Sequence, residues 1–542
     1  MLPARFGLLA VLILLSSIPC NGEPARGVVF EDRNGNGVRD AGESGVAGVS
    51  VSNGVQVVQT DGQGGYLLDV QHGTILFITK PTGYRVPLDE NNLPRHYYIH
   101  DPEGTSRSLE LRYPGVEPTG PLPASVDFPL RRVEEPARFN VVWFADPQPQ
   151  KPVEIDYIRD DVVAELVGVD AAFGITVGDI MYDKLSLFPR YNRIVAQIGI
   201  PWYNVPGNHD LNYRAESNEF ARETFKRYFG PPYYSFDYGN VHFVVLDDVH
   251  YMGRNKSTKS GGSSSKPVYE GRIGGDQLAW LINDLRFVPP DRLVVVAMHI
   301  PLRAAMDPLG RSRNVRDRAG FFEALKGREN LFLVAGHMHT AEHHYFNEKD
   351  GWEGDSPLHQ HVIAAVSGSW WSGPRDDRGI PVSWQRDGTP NGYYVMSVDG
   401  DRATMRFKAA SEPVDYQMRI ELVPEEEREP RKSDRDSRAR PSRLVVNLFD
   451  GGPRSTVEYR IGTGPWVRMA RQRREDPFIE EHFARFEKTI KSWVDVEPST
   501  HVWTKILPDD LQPGPNTLTI RAVDEYGAEH VAHKVFEVVG QR

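Results

Sequence analysis

From Phe139 onward the chain repeats one arrangement: a short apolar run that stops at Asp, Asn or His, often through a glycine. Asn140–Ala145 stops at Asp146, Pro147 and Gln148, and Gly174–Val177 at Gly178 and Asp179. Pro201–Val205 stops at Gly207, Asn208, His209 and Asp210, Leu293–Met298 at His299, and Leu331–Ala335 at Gly336, His337, Met338 and His339. Amphipathic stretches lie between the runs, at Ile155–Val167, Arg190–Ile198, Ser217–Phe229, Asp276–Phe287 and Arg318–Leu325. Near-continuous apolar strands alternating with such helices predict an α/β unit whose sheets are covered on both faces. In α/β sheets functional groups gather outside the carboxyl ends of the strands. Strand ends carrying Asp, Asn and His can therefore converge on one site, and the glycines before them allow tight turns and close backbone approach.

The remaining sequence frames this unit. At 542 residues the chain is too long for one core, and domains of roughly 100–200 residues put the count near three. Residues 23–133 alternate short strands (Gly27–Phe30, Val46–Val51, Gly65–Val70, Thr74–Ile78) with Gly, Asn and Asp turns, the pattern of a small β-sandwich. A proline-rich stretch, Pro114–Pro129, leads out of it. The catalytic candidate is then 137–370, and a mostly-β domain is predicted for 371–542. That last part starts with a hairpin, Gly392–Val398 and Arg402–Ala409, crosses the charge run Glu425–Arg443, and holds one helical stretch at Pro477–Val494. Gly253–Ser265, rich in Gly, Ser and Lys, reads as a surface loop.

Residues 1–22 have the layout of a secretory signal peptide: Arg5, an apolar run from Gly7 to Ile18, then small and polar residues. This predicts export to a periplasmic or extracellular location, with lipid attachment at Cys20 as the minor alternative. Cys20 is the only cysteine, so the body of the protein has neither a disulfide nor a thiolate metal site. No later stretch is apolar enough for a transmembrane helix. A net charge of −11 argues against duplex nucleic acid as a partner. Oligomeric state leaves no mark in the sequence.

Taken singly, an Asp or His at a strand end is more often a cap or turn residue than a ligand. Together the strand ends make a donor set of carboxylate, amide and imidazole. Such a set suits Mn, Fe or Zn, and two such ions about 3.5–4 Å apart can share a carboxylate and activate a water. The ordered set Asp146-x-Gln148, Gly178-Asp179, Gly207-Asn208-His209-Asp210, His299 and Gly336-His337-x-His339 resembles the motifs of calcineurin-like metallophosphoesterases, over roughly Phe139 to Ser369. The resemblance implies a four-layer αββα sandwich flanked here by β-sandwiches. Asp146 and His339 would bind one metal, Asn208, His299 and His337 the other, and Asp179 would bridge them. His209 would face the substrate as leaving-group acid or transition-state donor, Asn208 would join it in donating to the phosphoryl oxygens, and Asp210, next in the chain, could orient His209. The family has a histidine where Gln148 stands, and an amide oxygen is a weaker, neutral ligand. Tyr182 stands where the purple acid phosphatase branch has a ligating tyrosine, although that branch has glycine at the position of Gln148.

The implied reaction is metal-dependent hydrolysis of a phosphomonoester or phosphodiester by a hydroxide bridging the two metals, attacking in line. The substrate would be a small molecule or an envelope-derived ester. The competing reading is a cell-surface binding or scaffold protein with a degenerate phosphoesterase fold. A second ion enters through Asp32-x-Asn34-x-Asn36-Gly37-x5-Glu43, which has calcium-loop spacing. With the stretch through Tyr66 it resembles B-type repeats of bacterial surface adhesins. Asp32, Asn34, Asn36, Asp40 and Glu43 are its expected structural-calcium ligands. Trp370 to Tyr393, rich in loop and aromatic residues, is expected to border the site.

Overall fold

The computed structural model describes residues 22–255, 266–307, 313–424, 442–508 and 510–538. The leader with Cys20 and most of the Gly253–Ser265 and Glu425–Arg443 stretches lie outside these residues.

Alternation within single strands builds the central layers. In β1 (Arg138–Phe144), Val141 and Trp143 face one core, while Val142 and Phe144 face another. A strand places successive side chains on opposite faces, so an all-apolar run must be covered twice. β2 (Phe173–Val177) and β3 (Trp202–Val205) continue beside it in parallel. Their outer face is covered by α1 (Pro152–Ile158), a π-helical turn over Arg159–Val163, and α2 (Phe188–Val195), through Ile155, Ile158, Val162, Phe188 and Tyr191.

A second sheet packs on the inner face. Its strands are β4 (Tyr234–Tyr238), β5 (Val241–Val245), β6 (Leu293–Ala297), β7 (Leu331–Ala335), β8 (Glu342–Phe346) and β9 (Leu358–Val362). Their order is β4-β5-β6-β7-β9-β8, parallel except at the two edge strands. α3 (Glu223–Phe229), α4 (Gly275–Leu285) and α5 (Arg318–Ala324) belong to the same unit, and Trp280, Leu281 and Phe321 pack into the second sheet's core. The αββα order implied by the resemblance is therefore present. The helix expected over Ser217–Phe229 is shorter and starts at Glu223.

The hairpin read at 392–409 is present as β10 (Gly392–Asp399) and β11 (Arg402–Ala409), and it lies in the first sheet. The order there is β3-β2-β1-β10-β11, with β10 antiparallel to β1 through Tyr394↔Trp143 and Val398↔Phe139. The boundary drawn at 370/371 thus does not coincide with the edge of the α/β unit's sheets. Fading helical periodicity marks where helices end, but says nothing about which sheet a later hairpin joins.

Two four-stranded sheets enclose a separate apolar core in the N-terminal part, around Val29, Leu68, Leu76 and Leu130. Two more do so at the C-terminus, around Leu444, Val457, Trp503 and Ile520, with a helix at Pro477–Arg485. Among the described residues no helix is long and apolar enough to cross a membrane.

Candidate metal centre

The strand ends named from sequence do converge. β1, β2 and β3 deliver Asp146, Gln148, Asp179, Asn208 and His209 from one sheet, and β6 and β7 deliver His299, His337 and His339 from the other. Two glycines are fixed by the closeness of this approach. A Cβ at Gly207 would stand 2.0 Å from the Asp179 nitrogen, and one at Gly178 would stand 2.4 Å from His299 Nδ1. Six non-glycine residues here have positive φ: Asp146, Gln148, Asp179, Asp183, His337 and His339, between 42° and 72°. Such backbone costs of order 1–3 kcal/mol per residue and collects where a site over-determines it.

Asp179 is the centre. His299 Nε2 lies 3.3 Å from its Oδ1, and the same nitrogen lies 3.1 Å from Asn208 Oδ1 and 3.2 Å from His337 Nδ1. Gln148 reaches Asp179 Oδ2 through Nε2. On the other side, His339 Nε2 faces Asp146 Oδ1 at 3.6 Å. Asp146 Oδ1, Gln148 Oε1 and His339 Nε2 are buried with no hydrogen-bond partner. A buried unpaired group costs about 1–3 kcal/mol. Three such groups together fit a cation, because around a tetrahedral ion with bonds of about 2.0–2.1 Å neighbouring ligand atoms stand about 3.3 Å apart. Oxygen and imidazole nitrogen are the donors this chemistry needs. His299 Nδ1 and His339 Nδ1 bond the carbonyls of Val177 (2.9 Å) and Gly368 (2.6 Å). Each ring is thereby held with Nε2 toward the site.

The electrostatics agree. Burial pushes His339 down to about 3 and, with Asp179 adding to it, pushes Asp146 up to about 7. For His299 burial acts downward, but Asp179 and Asp146 outweigh it and raise the ring to about 10. Burial also opposes charge on Asp179, yet His299 and His209 hold it below the ordinary carboxylate range. The carboxylates thus concentrate a demand for positive charge at one buried point.

His209 stands at the rim, and its backbone N–H donates to Asp179 Oδ1 at 2.7 Å. Its ring is oriented by Asp183, not Asp210: Nδ1 meets Asp183 Oδ1 at 2.6 Å. Burial works against charge on this ring, but Asp179 and Asp183 overcome it and raise it to about 9. Asp210 turns inward and accepts the backbone N–H groups of Gly207 (2.9 Å), Ile180 (3.0 Å) and Met181 (2.9 Å). It clamps the turns after β2 and β3 together. Adjacency in the chain misled here, because the 3-10 turn Asn208–Asp210 sends the two side chains in different directions.

Tyr182 lays its ring on His209, with centroids 4.2 Å apart and planes at 18°. Trp202 is core, as expected for a residue within a strand, and its indole N–H donates to Thr176 Oγ1 at 2.8 Å. Tyr213 donates to the Asn208 carbonyl. Of the 370–393 segment, Trp370 stacks on His339 at 3.9 Å and Trp371 donates to the Pro147 carbonyl at 2.8 Å, so both brace metal-site loops. Arg375 instead pairs with Tyr157 on the surface. Trp370 lies in the segment expected to border the site; sequence reasoning missed Asp183, and also Trp493, which comes from the C-terminal part and stands 6.3 Å from the Tyr182 ring. Asp183 follows the Gly178-Asp179 motif closely enough to have been a candidate. Trp493 carries no local signal.

The calcium-type loop closes on itself. Asp32 accepts from Gly35 and Gly37, Asn34 and Asn36 donate to Asp40, and Glu43 accepts from Arg33 and Asp40. Its carboxylates are not among the two groups of described residues that gather three ligating side chains within 4.8 Å.

Three family models match the chain: the N terminal of calcineurin-like phosphoesterase over 33–112, calcineurin-like phosphoesterase over 141–341, and the C terminal of calcineurin-like phosphoesterase over 360–530. A probable glycerophosphodiester phosphodiesterase of Arcobacter nitrofigilis is 26% identical over 182 residues, 32% of this chain and 58% of that protein. A cAMP/cGMP dual specificity phosphodiesterase of Mycobacterium tuberculosis is 26% identical over 148 residues, 27% of this chain and 39% of that protein. The chain therefore matches less than two thirds of either relative. Among solved structures, a purple acid phosphatase from yellow lupin (Lupinus luteus) seeds shows a distant likeness, with 11% identity and a TM-score of 0.33, covering 72% of this chain and 67% of that one.

Proposed function

This chain belongs to the calcineurin-like phosphoesterase family, and from that premise we propose that it hydrolyses a phosphate ester at a two-metal site. The observation that carries the reading is the set of buried, partnerless donors, Asp146 Oδ1, Gln148 Oε1 and His339 Nε2, next to the Asp179–His299–His337 group. Asp146, Gln148 and His339 would hold one ion and Asn208, His299 and His337 the other, with Asp179 between them. Bound there, two cations would supply an activated water and neutralise the phosphoryl oxygens.

The chain's own groups do the rest. Gln148 steadies Asp179 through its amide nitrogen and leaves its oxygen for a cation, so the replacement of histidine is compatible with a working site. Asp183 holds His209 by Nδ1, fixes the ring and favours its protonated form. That leaves Nε2 to deliver a proton to the leaving oxygen. Tyr182 keeps the ring in plane by stacking. Asp210 locks the backbone that carries Asp179 and Asn208, so the donors are preorganised and do not rearrange during reaction.

Both curated relatives are phosphodiesterases by name, which supports a diester as the first substrate class to try. Export to a periplasmic or extracellular location, and calcium at Asp32–Glu43, belong to the same proposal and rest on sequence pattern. The test is metal content by mass spectrometry with hydrolysis of bis-p-nitrophenyl phosphate and p-nitrophenyl phosphate, for wild type and Asp179→Asn. About two transition metals per chain, with activity lost in the variant, is the expected result. Neither metal nor hydrolysis after supply of Mn, Fe or Zn would sink the reading in favour of a scaffold protein.

A further inference from the structure

Away from the catalytic centre, a second buried group of ligating side chains joins the catalytic sheet to the C-terminal part: His343, His361 and Asp450. His343 on β8 and His361 on β9 are cross-strand partners, so both rings point to the same face of the sheet. The rings stack at 4.1 Å. Asp450 follows the C-terminal strand Ser442–Leu448 and is brought against them from the other side. We propose that these three residues form a closed structural site for a single zinc-class cation, separate from the catalytic pair.

Geometry carries the proposal. His361 Nε2 lies 2.8 Å from Asp450 Oδ1. His343 Nε2 lies 3.3 Å from the Asp450 carbonyl oxygen and 3.6 Å from Oδ1. Both of the His343 distances are long for an N–H···O hydrogen bond, which centres near 2.9–3.0 Å. They match the edges of a tetrahedron around an ion with bonds of about 2.0–2.2 Å. The same edge lengths occur in the catalytic site, at 3.3 Å between His299 and Asp179 and 3.6 Å between His339 and Asp146. Two imidazoles, a carboxylate oxygen and a carbonyl oxygen then complete four donors with no open position, the form of a structural site.

The second nitrogens are already committed. His361 Nδ1 meets the Tyr526 hydroxyl at 2.9 Å, and His343 Nδ1 meets His359 Nε2 at 3.0 Å. A partner on the far nitrogen fixes the ring and its tautomer, and this is the usual surrounding of a metal-bound imidazole. Tyr394 donates to Asp450 Oδ1 at 3.1 Å and does the same for the carboxylate. The ion would pin the C-terminal sandwich to the edge of the second sheet in a chain that has only one cysteine and so no internal disulfide.

The test counts zinc on the full chain after loading with zinc and removal of excess. Wild type, His343→Gln/His361→Gln and Asp179→Asn/His299→Ala are compared by mass spectrometry. The cluster variant should hold one zinc fewer per chain than wild type, and the variant of the catalytic centre should still hold one. Equal zinc in wild type and cluster variant, or none in the catalytic-centre variant, overturns the proposal. The second arm does so whatever the catalytic site binds. If the cluster variant does not fold, anomalous diffraction at the zinc edge from wild-type crystals decides. A peak within bonding distance of His343 Nε2, His361 Nε2 and Asp450 Oδ1 supports the site, and no peak there leaves a hydrogen-bond network and refutes it.

Discussion

His242, on β5 and far from the strand ends that build the catalytic site, should make stability depend on pH in a direction opposite to acid denaturation. Its side chain is 1% exposed and lies between two carboxylates, with Nδ1 2.8 Å from Asp237 and Nε2 2.9 Å from Asp284. Burial disfavours its charge, but Asp284 and Asp237 together overcome that and raise the ring to about 9, from an ordinary 6.5. The folded state therefore binds this proton more tightly than the unfolded chain does. The resulting stability is complete below pH 6.5 and is lost as pH rises through 9. At 1.36 kcal/mol per tenfold, the interval is worth about 3 kcal/mol. His242→Gln removes the effect. Arg292 at 3.4 Å from Asp237 and Thr79 at 3.3 Å from Asp284 still serve the carboxylates, which limits collateral damage. Urea unfolding followed by tryptophan fluorescence, at pH 6, 7.5 and 9.5, measures the gap between the two proteins. The gap should shrink by about 3 kcal/mol from pH 6 to above 9. A gap that stays constant with pH would show that His242 is neutral in the fold and would refute the reasoning.

Other expectations follow from the site. Asp183→Asn leaves a hydrogen bond to His209 but removes the charge, so kcat should fall roughly 10–100-fold with metal content unchanged; loss of metal would show that Asp183 acts on the ligands instead. Gly207→Ala forces a Cβ onto the Asp179 nitrogen, and thermal unfolding should occur several degrees lower, with metal affinity reduced, as expected from roughly 1–3 kcal/mol of strain. Unchanged melting and metal binding would mean the turns are looser than described. Trp370→Ala removes the ring stacked on His339 and should weaken the Asp146-side metal first, read as a raised metal requirement for half-maximal activity. An unchanged requirement would make Trp370 a passive neighbour.

What could be read from sequence was local. A ligand at the end of an apolar run needs only its own strand, and the residues at the ends of β1, β2, β3, β6 and β7 arrive in one site because parallel strands all end on the same side. The two flanking sandwiches were legible by alternation and turn residues. Contacts made across the chain were not. Trp493 reaches Tyr182 from the far end of the chain, and Asp450 reaches His361 from 89 residues away, with nothing in the local pattern to pair them. Nothing next to His343 in the sequence marks it as buried, and it lies under the C-terminal part. Asp210 failed for the opposite reason: it is next to His209 in sequence, and the tight turn aims it away.

The antiparallel pairing of β1 with β10 has a consequence for how the chain is made. Arg138 and Asp399, ion-paired at the end of that ladder, are 261 residues apart. During synthesis at about 5–20 residues per second, β1 waits roughly 13–50 seconds for the strand that covers its edge. Until then the ribosome holds a sheet with an open apolar border. The catalytic core cannot be completed, or cut free, before its own ending has been translated, so the phosphoesterase half and the segment behind it are inherited as one unit of folding.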